Sequence, residues 1–178
     1  MKKITLLTLF VLCNLYANAQ KRGWFDDYLI GVGLDRTYKT DNLGNLGAHL
    51  ETKFGYNWKH FFINAGVGLL YLEGNKPDPN LSYPSAQRER DLLAEFPVGI
   101  GLNFPVDNSI VTLGTDVSYL TDINFSTSAI AIGPIFSTFF NTKHKNPIGF
   151  HIKTLINLSN NATYAPVYVG IGISIRSL

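Results

Sequence analysis

Apolar and polar residues alternate along most of the chain, and the stretch LGAHLETKFGYNW, Leu46–Trp58, does so without interruption. One side of this stretch carries Leu46, Ala48, Leu50, Thr52, Phe54, Tyr56 and Trp58, and the other carries Gly47, His49, Glu51, Lys53, Gly55 and Asn57. Successive side chains of a β-strand point to opposite faces, so a period of two predicts a strand.

The same alternation recurs in eight segments of about the 9–11 residues that a tilted membrane strand needs. They are Tyr28–Thr37, Leu46–Trp58, Phe61–Glu73, Asp91–Phe104, Ile110–Leu120, Thr127–Phe140, Ile148–Leu158 and Tyr164–Arg176. No segment has sustained helical periodicity between a cap and a terminal glycine, so the pattern predicts an all-β chain. Pro97 and Pro134 fall inside predicted strands, where we expect a bulge or local break because proline cannot donate to the ladder.

The connections between the predicted strands alternate in length. Asn57–His60 and Pro105–Ser109 are tight, whereas Tyr38–Gly44 and Gly74–Arg90 are longer. Outer-membrane barrels have short periplasmic turns and longer external loops. The alternation therefore places both chain ends on the periplasmic side and the longer connections outside the cell.

The composition of the two faces of the predicted sheet indicates which face points inward. The apolar face carries no charge, which both a soluble core and a lipid-facing surface would explain. The other face, however, carries most of the 16 glycines. Glycine weakens a strand and is retained where a backbone or a bulky group approaches closely, as inside a barrel of about eight strands. We therefore predict an eight-stranded antiparallel up-and-down transmembrane β-barrel with a filled polar lumen.

Acids and bases of similar number lie between these glycines and predict a paired network in the lumen, because unpaired buried charge is costly. The predicted network consists of Asp35, His49, Glu51, Lys53, Glu95, Asp116, His151, Lys153 and Arg176. Structural ion pairing is the favoured interpretation. A metal or acid–base site is the alternative, and it requires His49 and His151 to converge from strands that are not neighbours.

The rest of the sequence limits the possible functions. With 178 residues and a formal net charge of +2, the chain fits one domain and gives no reason to expect nucleic acid. The start MKKITLLTLFVLCNLYANAQ predicts a cleaved signal peptide over residues 1–19, which contains the single cysteine, Cys13. Residues 20–178 then form the barrel domain. No phosphate loop, zinc-ligand spacing or serine elbow is present, so we predict no cofactor.

The segment LLAEFPVGIGLNF, Leu92–Phe104, opens a strand with an acid, a hydrophobe and a proline and runs down to a short turn. In this segment and in its overall layout the chain resembles small outer-membrane β-barrels of the PorT-like and OmpX-like kind. The resemblance implies this fold and a bacterial outer-membrane location. Such families include adhesion, complement-resistance, assembly and secretion-associated members, so no single activity is implied.

The favoured function is that of a non-enzymatic, monomeric barrel in outer-membrane lipid that contacts a protein or envelope partner through its external loops, chiefly Gly74–Arg90. One alternative is a lipid A-modifying enzyme. Its residues would be either lipid-facing threonines or a group near the external mouth, namely Asp35, His49, Asp91 and Ser118. A second alternative is a soluble periplasmic lipocalin-like barrel. A porin is disfavoured, because open channels need about 16 strands.

Overall fold

The computed structural model describes residues 23–36, 45–75, 88–125, 127–159 and 167–177. Its strands are β1 (Gly23–Arg36), β2 (Asn45–Trp58), β3 (Phe61–Asn75), β4 (Arg88–Val106), β5 (Ser109–Asp122), β6 (Ser128–Phe140), β7 (Ile148–Asn157) and β8 (Val167–Ser177). Each strand pairs antiparallel with the next, and β8 pairs with β1 to close the barrel. The predicted eight-stranded up-and-down barrel is confirmed. Within the described residues, no helix is long and apolar enough to cross a membrane.

Several strands are longer than predicted, most of all β1 and the hairpin of β3 and β4. β1 begins at Gly23 rather than at Tyr28, because its ladder with β2 continues to the pair Gly23 and Asn57. The hairpin of β3 and β4 also extends further, to the pair Asn75 and Arg88. Both ends of the predicted loop Gly74–Arg90 are therefore strand, and its remainder, residues 76–87, lies outside the described residues.

Pro97 and Pro134 each interrupt one ladder. The pairing of β3 with β4 stops at Ala65 and Val98 and resumes at Gly68 and Glu95, on either side of Pro97. Pro134 lies in the corresponding gap between β6 and β7. The register is the same before and after each gap, so the structure has a local break and no bulge. The cause is the missing backbone donor of proline.

The two faces of the sheet are arranged as a membrane barrel requires. Ile171 is 61% exposed on the outer surface, whereas Glu51 and Lys153 are 2% and 1% exposed in the interior. This arrangement contradicts the lipocalin-like alternative, in which the apolar face would fill the interior. The outward positions of all eight strands carry exposed large hydrophobic side chains, so the apolar surface surrounds the barrel.

One end of the barrel carries two tight turns and the connection between β6 and β7. Lys59 and His60 connect β2 to β3, Asp107 and Asn108 connect β4 to β5, and residues 141–147 connect β6 to β7. Aromatic side chains gather on the outer surface near this end, where Trp24 stacks on Phe54 with ring centroids 4.8 Å apart. Aromatic residues of this kind mark the membrane interface in outer-membrane barrels. We name this end the short-turn rim.

Candidate functional site: the polar lumen

Lys153 lies at the centre of the charged interior and joins two carboxylates from other strands. Its Nζ donates to Glu95 Oε1 and Oε2, both at 2.7 Å, and to Glu51 Oε2 at 3.0 Å. All three side chains are at least 98% buried. Buried ions are stable only when paired and hydrogen-bonded, and this cluster meets that condition.

Strand register explains how the two carboxylates reach the same ammonium group. Glu51 on β2 is paired with Gly68 on β3, which is paired with Glu95 on β4. The three residues lie in one row across the sheet and point into the lumen. Gly68 has no side chain, so the carboxylates on either side can lean over it towards Lys153.

A second ammonium group completes the cluster. Lys53 Nζ donates to Asp116 Oδ2 and lies 3.4 Å from Glu51 Oε1. The carboxylates of Glu51, Glu95 and Asp116 thus surround the ammonium groups of Lys53 and Lys153. We name these five residues the central ion cluster. Ser118 adds a hydrogen bond to Glu95 Oε1 at 2.6 Å.

The two lumen histidines meet, although their strands are not neighbours. His49 Nε2 and His151 Nε2 are 2.6 Å apart, and His49 Nδ1 is 2.7 Å from the Tyr168 hydroxyl. The strands between them place Gly31 and Gly172 in the same row, paired with each other and with the two histidines. A Cβ on Gly31 would lie 2.5 Å from His49 Cε1, so only glycine leaves room for the rings to meet.

Arg176 forms a separate cluster nearer the short-turn rim. Its Nε and Nη2 donate to the two oxygens of Asp27, each at 2.7 Å, in a bidentate pair. The guanidinium also lies over the rings of Phe25 and Phe139, at 4.5 and 4.2 Å from their centroids. Asp27 and Arg176 are paired in the ladder that closes the barrel, so this contact lies directly across the closing seam.

The structure places the nine predicted network residues in the interior, and each of their side chains is at least 98% buried. Five of them form the central ion cluster, His49 and His151 contact each other, and Arg176 pairs with Asp27. Asp35 is buried at the other end of the lumen and is also engaged in an interaction. Sequence reasoning missed Asp27 and Tyr168, although alternation with Leu29 and with Gly170 would have placed both inward.

One requirement of the alternative metal or acid–base site is met, because His49 and His151 converge in the lumen. Ser118 donates its hydroxyl to Glu95, not to a histidine. The side chain of Asp91 lies outside the described residues. In the described part of the chain, no group of three His, Cys, Asp or Glu side chains is positioned to hold a metal ion.

A closed barrel with an apolar exterior and a paired ionic interior is a transmembrane β-barrel. The crystal structure of Neisserial surface protein A (NspA) is similar, with a TM-score of 0.62 and 10% identity over 89% of this chain and 99% of that chain. The attachment invasion locus protein Ail of Yersinia pestis, in complex with the heparin analogue sucrose octasulfate, matches over 89% of this chain and 98% of its own, with 12% identity and a TM-score of 0.41.

No family model matches the chain, and no curated protein matches it in sequence. The likeness to NspA confirms the resemblance to small outer-membrane β-barrels at the level of the fold.

Proposed function

We propose that the protein is a small, monomeric, non-enzymatic barrel of the bacterial outer membrane, whose external loops contact a protein or envelope partner. The observation that carries the proposal is the central ion cluster, in which Lys53 and Lys153 bind the carboxylates of Glu51, Glu95 and Asp116 inside an apolar exterior. Buried charges that pair with one another stabilise a rigid scaffold. Because these charges are not available to a partner, a partner contacts the ends of the barrel.

Those contacts lie at the end opposite the short-turn rim. Residues 37–44, 76–87, 123–127 and 158–166 connect strands at that end. The longest of them, KPDPNLSYPSAQ, combines three prolines with a lysine and an aspartate. This composition favours an extended, solvent-exposed loop whose side chains can contact a partner. NspA is called a surface protein, which supports a surface role for a barrel of this fold.

The chain is exported and inserts into the outer membrane. Residues 1–19 act as the signal peptide, and the mature chain begins at Gln20. The exposed apolar side chains then contact outer-membrane lipid around the whole barrel.

A photo-cross-linking amino acid at Tyr83 tests the partner contact on intact cells. We expect discrete ultraviolet-dependent adducts from Tyr83, because the segment 76–87 faces the partner. The same amino acid at Asp107, on the short-turn rim, should not give these adducts. Deletion of residues 76–87 should leave the heat-dependent gel mobility of a folded barrel intact. The absence of adducts at Tyr83, or an unfolded deletion variant, would contradict the proposed role of this segment.

A further inference from the structure

The connection between β6 and β7 forms a groove on the outer side of the short-turn rim. The groove has a volume of about 620 Å³, and Phe140, Ile148 and Phe150 line its apolar part. The rings of Phe140 and Phe150 are in edge contact, with centroids 6.0 Å apart. All three side chains are exposed on the lipid-facing surface. The apolar part of the groove is therefore continuous with the surface that contacts acyl chains.

The polar part of the groove is basic. Lys145 and His144 line it. The lining contains no acidic residue. Asp107 lies on the adjacent turn and does not line the groove. A ligand that complements this surface has an anionic group at the level where the strands end and an apolar chain that extends along the barrel wall.

Backbone hydrogen bonds fix the shape of this connection. Thr142 N donates to Asn108 O at 2.9 Å, which ties the connection to the neighbouring turn. His144 N donates to Asn141 O at 2.9 Å, and Arg176 N donates to Pro147 O at 3.0 Å. The basic side chains therefore extend from a preformed backbone, which reduces the entropy lost when a ligand binds.

We propose that this groove binds one anionic glycerophospholipid, with the headgroup phosphate at Lys145 and an acyl chain against Phe140 and Phe150. Charge complementarity and continuity with the lipid-facing surface favour this occupant, because a soluble anion would leave the aromatic part of the groove uncovered. The short-turn rim is the periplasmic one in barrels of this class, so the lipid belongs to the inner leaflet.

Native mass spectrometry of the full barrel, with phosphatidylglycerol and phosphatidylcholine of equal acyl chains, tests the proposal. The wild-type protein should retain phosphatidylglycerol preferentially. Lys145→Gln should reduce that preference about fivefold, the effect of removing one lysine near an anionic lipid surface. Lys59→Gln, which removes the same charge from another turn of the rim, should preserve the preference. Each variant should keep the heat-dependent gel mobility of the folded barrel.

The other outcomes separate the possible ligands. If Lys59→Gln and Lys145→Gln reduced the preference for phosphatidylglycerol equally, the preference would come from the overall positive charge of the rim. This result would overturn the proposed binding site. Displacement of the lipid by millimolar inorganic phosphate would indicate a simple anion site instead. A preference for purified lipid A over phosphatidylglycerol would overturn the assignment to the inner leaflet.

Discussion

Replacement of Lys153 by methionine should lower the free energy of unfolding of the barrel by about 3–5 kcal/mol, the cost of removing one partner from a buried ion pair. The variant leaves Glu51 and Glu95 without the ammonium group that donates to both of them. Methionine fills similar space, so lost charge pairing dominates over cavity formation. Urea-dependent unfolding in lipid vesicles, followed by tryptophan fluorescence, measures the difference.

Two matched variants complete this test. Lys59→Met removes an exposed lysine at a turn and should change the free energy of unfolding by less than about 0.5 kcal/mol. The double variant Lys153→Met and Glu95→Gln should recover part of the loss, because one unpaired carboxylate is neutralised. A loss below about 1 kcal/mol in Lys153→Met would place this lysine in water and contradict the ionic lumen.

Replacement of Gly31 by alanine should lower the free energy of unfolding by about 1–3 kcal/mol, the usual cost of an added methyl in a filled interior. The new Cβ would lie 2.5 Å from both His49 Cε1 and the backbone oxygen of Ile171. The histidine ring can move only by giving up its contact with His151, and the backbone oxygen belongs to β8 in the closing ladder. The same urea titration in vesicles measures the change.

Gly23→Ala is the control for this variant. Gly23 is on the same strand, and a Cβ there would have no other atom within 4 Å. We expect a change of less than about 1 kcal/mol, and a gain where alanine only restricts the unfolded chain. Equal effects at Gly23 and Gly31 would show that the cost comes from backbone conformation and not from crowding in the lumen.

The fold could be predicted because its determinant is local. Strand alternation in LGAHLETKFGYNW assigns each residue to a face, and glycines such as Gly31 and Gly172 mark the crowded face as the interior. The ends of the strands were predicted less accurately. The ladder between β3 and β4 continues through the pair Gly74 and Glu89. A glycine and a charged residue at these positions had indicated a loop. A glycine or a charge does not end a strand while the partner strand still supplies hydrogen bonds.

The members of the lumen network could be predicted, but their partners could not. The alternation along each strand places Lys153 and Glu51 inside the barrel. Their contact, however, depends on how far the strands tilt and on which rows of residues face each other across the lumen. The meeting of His49 and His151 depends on two intervening glycines being in the same row, which only the register reveals. Asp27 was missed because the predicted first strand began one residue after it.

Quenching of single tryptophans by lipids that carry bromine on their acyl chains tests directly which face contacts lipid. In a background of Trp24→Phe and Trp58→Phe, one variant carries Ile171→Trp and another carries Tyr168→Trp. These positions are on the same strand, but Ile171 is 61% exposed outside and Tyr168 is 2% exposed in the lumen. We predict strong quenching at position 171 and weak quenching at position 168. The reverse result would contradict the orientation of the barrel wall.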